Sequence, residues 1–400
     1  MGKLIYILLF LIGVPGLNAQ NPDELYCNGV ASLQSENYVE SINYLTSAIQ
    51  YEPNNALLYL KRGEAHYKSG TYDDALTDFR EASQLDENSA DFWISKTYAM
   101  LGNQEQSLIY LKKHLSSGYH LKEKTIKKDD AFNDLQYSDG WHNLWQEEWY
   151  TEEEMTEDEV DYLMKKELYL DAITLLDEKI SASENPHKLH ACRARVNMKL
   201  GNFKGAAADW ENAIDIERKI PGYYIERGRA YYEAGKFRNS IDDFTRVLRQ
   251  DPALFTLYIE RANAYARLKE FTPAIRDVVT YLKYFENDQD AIALCGNLHY
   301  TNENYIEALK YFNRNLKLDN TKAVHYKDRG KTYLKTGIYK FAINDLSMAL
   351  DLSPYDGETY LYKGIARFES GDKEGACSDW SKARKYGEMK AVEYLLENCE

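Results

Sequence analysis

Apolar residues recur along most of the chain at the spacing of amphipathic helices, with polar residues between them. Short turns rich in Gly or Asn interrupt this pattern, for example at Gly70, Gly201, Gly235 and Gly337. Each turn separates two helical segments of similar length. With only 8 prolines in 400 residues, few breakers interrupt the segments themselves. The pattern predicts an all-α protein built from helical hairpins.

The hairpins form an internal repeat. The segment that starts at Phe203 has counterparts at Phe237, Phe271, Tyr305 and Tyr339, so the step is 34 residues each time. Extending this phase gives ten units, which start near positions 22, 56, 88, 153, 187, 221, 255, 289, 323 and 357. Within a unit numbered 1 to 34, position 8 is Gly in six units, position 20 is small in all ten, and position 24 is usually bulky. A fixed period of this length indicates stacked repeats.

The small and bulky positions predict how the helices pack. We expect the residues at positions 8 and 20 to let the two helices of a hairpin approach closely, as at Gly228 and Ser240. Bulky residues at positions 17 and 24 are expected to fill the space towards the next hairpin. One hairpin cannot bury both of its apolar faces, so the hairpins are expected to stack into a solenoid.

These features together resemble the tetratricopeptide repeat (TPR) family, over roughly residues 22–115 and 153–390. The resemblance implies an all-α TPR α-solenoid, a right-handed superhelix of about ten helical hairpins, with an irregular helical insertion and a C-terminal capping helix. After a leader, we expect an N-terminal TPR block, a Trp-rich insertion, a C-terminal TPR block and the capping helix, at 20–115, 116–152, 153–387 and 388–400.

Two positions of the repeat vary together. Position 7 is basic and position 23 is Asp in the same six units, whereas the other four units have neither. Co-variation of this kind suggests contact, so we predict an ion pair between the two helices of each of these hairpins. A catalytic role is disfavoured because a pair repeated along a solenoid is architecture. The predicted pairs are Arg62–Asp78, Arg193–Asp209, Arg227–Asp243, Arg261–Asp277, Arg329–Asp345 and Lys363–Asp379.

The family resemblance implies that positions 2, 5, 9 and 12 of each first helix line a concave groove. Amides there would satisfy the backbone of an extended peptide, and basic residues would favour carboxylates. The alternative is that these are ordinary solvated side chains. The chain departs from the family's chaperone-binding carboxylate clamp, because Lys327 is followed by Lys331 and not by Asn. The candidate partner-binding residues are Arg195, Arg229, Tyr232, Asn263, Asn297, Tyr300 and Lys331.

The array is interrupted between about 116 and 152. A basic stretch leads to Trp141, Trp145 and Trp149, whose spacing predicts one stripe on a helical face. Such a stripe is either an exposed docking surface or a packed one, and packing is favoured. The segment resembles a helical cap that ends one TPR block.

The first 19 residues have the pattern of a secretory signal peptide. Lys3 precedes a short apolar run, a Gly-Pro breaker and Ala19, after which cleavage is expected. The alternative, an uncleaved anchor, is disfavoured because the run is shorter than the roughly 20 residues that span a bilayer. Cys377 and Cys399 lie on either side of the turn at Gly387 and would face each other in a hairpin, so an exported protein is expected to join them in a disulfide.

Charge and motifs narrow the function. The net charge of −15 disfavours a nucleic-acid partner. No catalytic, metal or cofactor motif is present, so we expect no enzymatic activity, no cofactor and no metal. The sequence predicts an exported protein–protein interaction scaffold in the periplasm or outside the cell, with no membrane span after cleavage. The alternatives are a structural subunit that uses its convex face and ends, and an accessory glycan-binding or enzymatic protein.

Overall fold

The computed structural model describes residues 21–118 and 120–399, and every regular element among them is helical. The chain forms two compact units, one ending at Trp149 and the other starting at Tyr150. The signal peptide expected at 1–19 lies outside the described residues.

The first unit contains three helical hairpins followed by shorter elements. Its helices are α1 (Pro22–Gln34), α2 (Tyr38–Tyr51), α3 (Ala56–Ser69), α4 (Tyr72–Leu85), α5 (Asp91–Met100), α6 (Gln104–Leu115), α7 (Glu123–Lys127) and α8 (Asp139–Leu144). Two 3-10 turns, Asp130–Phe132 and Leu135–Tyr137, lie between α7 and α8.

The second unit contains seven hairpins and a final helix. Its helices are α9 (Glu152–Lys165), α10 (Tyr169–Ala182), α11 (His187–Lys199), α12 (Phe203–Ile216), α13 (Pro221–Glu233), α14 (Phe237–Gln250), α15 (Thr256–Arg267), α16 (Phe271–Tyr284), α17 (Gln289–Thr301), α18 (Tyr305–Leu318), α19 (Ala323–Lys335), α20 (Tyr339–Leu352), α21 (Gly357–Glu369), α22 (Lys373–Lys385) and α23 (Ala391–Asn398). The odd-numbered helices from α9 to α21 are the first helices of their hairpins.

Every hairpin turns at position 15 of its unit. The backbone there has a positive φ, from 58° to 93°, a conformation that glycine adopts at little cost. Six units have Gly at this position, and the others have Glu36, Glu167, Lys269 and Glu303. The reversal is stabilised by a hydrogen bond back to the first helix, as from the Lys236 N–H to the Tyr231 carbonyl at 2.8 Å.

The close approach within a hairpin involves positions 8 and 24, which differs from the expectation that position 8 meets position 20. A Cβ added to Gly228 would lie 2.7 Å from the Phe244 ring, and the same holds at Gly296 against Phe312 at 2.6 Å. The reason is symmetry about the turn, since residues equally distant from it face each other in an antiparallel pair. The bulky side chain therefore covers the glycine of its own hairpin. Phe244 also belongs to a buried cluster with Leu257 of the next hairpin.

The six co-varying pairs lie within their own hairpins. The shortest nitrogen–oxygen distances are 2.6 Å for Arg62–Asp78, 2.5 Å for Arg193–Asp209, 2.7 Å for Arg227–Asp243, 2.7 Å for Arg261–Asp277, 2.6 Å for Arg329–Asp345 and 3.7 Å for Lys363–Asp379. In the five Arg pairs, Nε and Nη2 both donate to the carboxylate. This two-point geometry gives a stronger and more directional contact than a single charge does.

A further contact links successive hairpins, and the sequence reasoning missed it. The remaining arginine nitrogen, Nη1, donates to position 25 of the preceding unit, for example from Arg261 to Thr245 at 2.9 Å and from Arg329 to Asn313 at 2.7 Å. The same contact joins Arg62 to Thr46 and Arg193 to Asp177. The arginine therefore fixes both the hairpin and its packing on the previous one.

The insertion packs as an irregular cap, and the prediction of one helical Trp stripe is wrong. Helix α8 ends at Leu144, so Trp145 and Trp149 lie beyond it. Trp141 is buried against Phe132, with ring centroids 5.6 Å apart. The Trp149 indole N–H donates to the Leu144 carbonyl at 2.7 Å, a bond that folds the chain back over the end of the helix.

The second unit ends in α23, which packs on the last hairpin. The Trp380 ring lies 5.0 Å from that of Tyr394, and Ala391 is fully buried. The Sγ atoms of Cys377 and Cys399 face each other, and their Cα atoms lie 5.8 Å apart. The three other cysteines, Cys27, Cys192 and Cys295, are buried.

Candidate protein-binding groove

The candidate residues at position 9 lie one per helix on successive first helices of the second unit. Arg195 is on α11, Arg229 on α13, Asn263 on α15, Asn297 on α17 and Lys331 on α19. These helices contact one another across hairpins, as α17 does with α19 and α19 with α21. We call the surface formed by α11, α13, α15, α17 and α19 the first-helix face.

The cations of this face are bound by acids of neighbouring first helices. Arg195 lies 3.1 Å from Asp161 of α9, and Lys331 lies 3.0 Å from Glu358 of α21. Lys327, four residues before Lys331, is held by the same Glu358 at 3.0 Å. The basic strip that the sequence suggests is therefore neutralised from within the chain.

Arg229 is the most fully engaged of these cations. Its Nε and Nη2 donate to Glu260 at 2.9 and 2.7 Å, and its Nη1 donates to Glu226 at 2.6 Å. The hydrogen bonds to Glu260 raise the pKa of the Arg229 guanidinium further above its usual range. An incoming carboxylate would have to compete with both acids for this side chain.

The alignment of the repeat units indicates the acidic partners of these cations only weakly. Glu226 and Glu260 occupy position 6 of their units, Asp161 position 9 and Glu358 position 2. Because they come from three different positions, no single column of the repeat identifies them. Only the packing of one first helix on the next shows that they meet the cations.

The two amides differ from the cations because their side chains have no hydrogen-bond partner among the described residues. The side chains of Asn263 and Asn297 make no hydrogen bond with any described residue, and Asn297 is exposed. Each carries two N–H donors and one carbonyl acceptor, which is the complement of a peptide backbone. They lie on consecutive first helices, so one extended chain could contact both.

Aromatic side chains flank these amides. Tyr232 packs edge-on against Phe237 at 5.4 Å, and Tyr300 does the same with Tyr305 at 5.6 Å. Burial raises the pKa of Tyr300 to about 12, so its hydroxyl stays protonated at neutral pH. Both tyrosines are half-buried and offer apolar surface beside the amides.

A cavity of about 200 Å³ opens between α13 and α15. Buried Phe244 and half-buried Tyr232 supply its apolar lining, and its polar lining comes from charged and amide side chains. Those polar residues are Arg229, Glu233, Glu260 and Asn263. Three of the candidate groove residues, Arg229, Tyr232 and Asn263, thus line one depression.

In the first unit, position 9 of α5 holds a lysine that sequence reasoning did not single out. The Lys96 ammonium lies 2.7 Å from Asp129 and about 5 Å from the centroids of three rings, at 5.2 Å for Tyr67, 5.6 Å for Phe92 and 4.8 Å for Trp93. Such an aromatic cage stabilises a cation. Asp129 belongs to the insertion, so the insertion supplies the carboxylate that binds Lys96.

Neither a metal site nor a spanning helix is found in the part of the chain that the structure describes. No group of three or more His, Cys, Asp or Glu side chains in residues 21–118 and 120–399 could hold a metal ion. Over the same residues, no helix combines the length and the hydropathy needed to cross a membrane.

Comparison with known proteins agrees with the repeat geometry. A family model described as tetratricopeptide repeat matches residues 28–115 and 225–291. The crystal structure of the C-terminal part of a TPR repeat-containing protein from Cytophaga hutchinsonii superposes with a TM-score of 0.51 at 17% identity. It covers 59% of this chain and 98% of that chain. The chain folds as a TPR α-solenoid.

Two curated relatives come from Dictyostelium discoideum. A DnaJ homolog subfamily C member 7 homolog is 30% identical over 135 residues, which is 34% of this chain and 25% of that protein. A protein STIP1 homolog is 28% identical over 123 residues, 30% of this chain and 21% of that protein. The matches therefore span a quarter or less of the length of these relatives.

Proposed function

We propose that this TPR protein is a non-enzymatic interaction scaffold whose first-helix face forms a groove for an extended segment of a protein or peptide partner. The observation that carries the proposal is the pair of amides, Asn263 and Asn297, which lie on consecutive first helices and whose side chains make no hydrogen bond with any described residue. Accessible polar side chains at the same position of successive repeats suit main-chain recognition.

The proposed mechanism is docking on a preformed surface. Each amide donates to a backbone carbonyl of the segment and accepts from an N–H, while Tyr232 and Tyr300 pack against its side chains. The Arg261–Asp277 pair holds the hairpin of Asn263 closed, so little order must be gained there on binding. Affinity then comes from several modest contacts spread over neighbouring hairpins.

Site-specific photocrosslinking in cells tests this proposal. A photoreactive phenylalanine analogue at Asn297, on the first-helix face, is expected to trap a discrete partner. The same analogue at Lys204, exposed at the start of second helix α12, serves as the matched control. Equal trapping at both positions, or trapping only at Lys204, would contradict a groove.

We also propose that the protein is exported to the cell envelope and that it resides in the periplasm. The signal-like pattern before Ala19 supports export, and so does the apposition of Cys377 and Cys399, since disulfides persist in oxidising compartments. Cell fractionation with N-terminal sequencing checks the location. A protein that keeps Met1 and fractionates with the cytosol would contradict it.

A second candidate function is that of a structural subunit that uses its end. At the C-terminal end of the second unit, Tyr355, Met389 and Leu396 are 75%, 68% and 82% exposed. Large apolar side chains this exposed are typical of contact surfaces when they cluster. Loss of an assembly in a Leu396→Glu variant that still crosslinks through Asn297 would favour this role.

A further inference from the structure

The cavity between α13 and α15 is large enough to receive a side chain. It has a volume of about 200 Å³, and an apolar engineered cavity of about 150 Å³ accommodates benzene. Phe244, 1% exposed, forms part of its lining together with Tyr232. Both residues line this cavity together with Asn263, so a segment bound along the first-helix face would pass over the opening.

The charged groups around this cavity are not balanced. Arg229 is already held by Glu226 and Glu260, as described above. Glu233 lines the same cavity, is exposed, and makes no hydrogen bond or ion pair with any described residue. Arg267 is the other nearby cation, with its guanidinium 5.9 Å from the Tyr232 ring.

The side chains that line the cavity therefore carry two carboxylates, from Glu233 and Glu260, against one guanidinium, that of Arg229, which Glu226 also binds. A carboxylate from a partner would meet an arginine that two acids already bind, and it would also face the unpaired Glu233. A cation would meet the opposite arrangement, since Glu233 has both oxygens available. The charge of the rim thus favours a positive ligand group.

Lysine and arginine side chains match both features of the cavity. Their aliphatic stems pack on apolar and aromatic surface while the charged head stays at the polar rim. A carboxylate side chain has a much shorter stem and the wrong charge for Glu233.

We infer that this cavity takes a lysine or arginine side chain and that the segment bound along the first-helix face is basic. The inference rests on the proposed groove function and specifies the partner's chemistry. The net charge of −15 points the same way, because an acidic protein steers cationic segments towards itself. The expectation from sequence that basic residues recruit carboxylates is thereby replaced at Arg229.

A positional-scanning library of fluorescent decapeptides, acetylated and amidated at the ends, tests the inference on the full chain. At one position Lys or Arg is expected to bind about tenfold more tightly than Glu, as a charge contact of this kind provides about 1.4 kcal/mol. Glu233→Gln is expected to weaken the selected basic peptide about fivefold, with a smaller loss at high salt.

The matched control is Asp242→Asn, which makes the same charge change on an exposed acid of α14 in the same hairpin. It is expected to leave the affinity unchanged. Preference for acidic peptides, or equal losses in Glu233→Gln and Asp242→Asn, would overturn the basic-segment inference. If the peptides that the library selects lose affinity in an Asn263→Ala/Asn297→Ala variant, whatever their charge, the groove proposal stands even where the basic-segment inference fails. If they keep their affinity, or if the library shows no preference at all, the groove proposal fails as well.

Discussion

At the scale of single residues, the arginine at position 7 has more than one role. Arg261 binds Asp277 through two nitrogens and reaches Thr245 of the preceding hairpin through the third. Asp277 is 4% exposed, so its charge has little water to replace a lost partner. The largest effect of the pair on stability is therefore the cost of the unpaired charge that is left when one member is removed.

A double-mutant cycle measures this dependence. We expect Asp277→Leu or Arg261→Met alone to lower the free energy of unfolding by about 3 kcal/mol, because each leaves an unpaired charge in a poorly hydrated site. The double variant should lose less than the sum of the two. Urea denaturation followed by circular dichroism provides the four values, and strictly additive losses would contradict a coupled pair.

His114 makes the first unit sensitive to acid. The ring is 7% exposed and its Nε2 accepts a hydrogen bond from the Leu121 N–H at 2.9 Å. Burial, assisted by the nearby His120, lowers the pKa of His114 to about 4. The neutral ring is therefore the form that the fold requires.

The sign of the pH dependence follows from that shift. Between pH 6.5 and about 4 the unfolded chain binds a proton at His114 that the folded chain does not, so stability falls as pH falls through this window. The expected loss is about 3 kcal/mol. Chemical denaturation at pH 7 and pH 4 should show the loss, and a His114→Gln variant should show less of it; an equal loss in both would remove His114 as the cause.

At the scale of single residues, contact partners could be predicted from the sequence only at positions that vary together across the ten repeat units. Asp243 and Arg227 co-vary with their counterparts in other units, so their contact could be predicted. The pairing of Arg229 with Glu260 has no such counterpart, because the acids that bind the groove cations come from three different repeat positions. That contact depends on how neighbouring helices are rotated, which local patterns do not encode.

At the scale of helices and turns, the left-handed residue at position 15 is a recurring constraint. Glu303, at φ 58°, and Lys269, at φ 59°, adopt a backbone that costs residues with a side chain about 1–2 kcal/mol. Gly235, at φ 75°, shows the alternative that other units use.

Replacing Glu303 by glycine should therefore stabilise the protein. We expect Glu303→Gly to raise the free energy of unfolding by about 0.5–1 kcal/mol, since the strain relieved exceeds the extra entropy of glycine in the unfolded chain. Glu307→Gly, inside α18, is the control and should cost about 1 kcal/mol. Thermal and urea unfolding check both values; destabilisation by Glu303→Gly would mean that the Glu side chain contributes more than the turn costs.

The cap α23 depends on its attachment to α22. The proposed bond between Cys377 and Cys399 closes a separation of 22 residues, which in the chain-entropy account stabilises the closed form by about 3 kcal/mol. We expect Cys377→Ala/Cys399→Ala to speed amide exchange in α23 while α13 to α20 keep their rates. Non-reducing mass spectrometry should find the two cysteines linked, and free thiols in the exported protein would contradict the bond.

Element prediction was weakest in the insertion. Three Trp at a spacing of four residues indicate a helix, yet α8 ends after six residues and the last Trp returns to cap it. Residues spaced four apart lie on one helical face only if the helix continues through all of them. Here α8 ends at Leu144, whose carbonyl accepts a hydrogen bond from the Trp149 indole. By contrast, the turn residues and the hairpins they join followed directly from the repeat.

At the scale of the whole chain, the period of 34 residues is the main source of predictability. It indicates ten hairpins, and the described residues contain three in one unit and seven in the other. The period does not indicate the charge of the first-helix face, because the acids that neutralise a cation of one hairpin come largely from the neighbouring hairpin. Stacking brings Asp161, Glu260 and Glu358 into contact with these cations. The side chains of Asn263, Asn297 and Glu233 make no hydrogen bond or ion pair with any described residue.

The central claim, that a partner segment lies along the first-helix face, is tested most directly by hydrogen–deuterium exchange of the full chain with and without its crosslink-identified partner. The account predicts slower exchange in α13, α15 and α17 when the partner is bound, with α14, α16 and α18 unchanged. Protection confined to those second helices, or to α23, would contradict it.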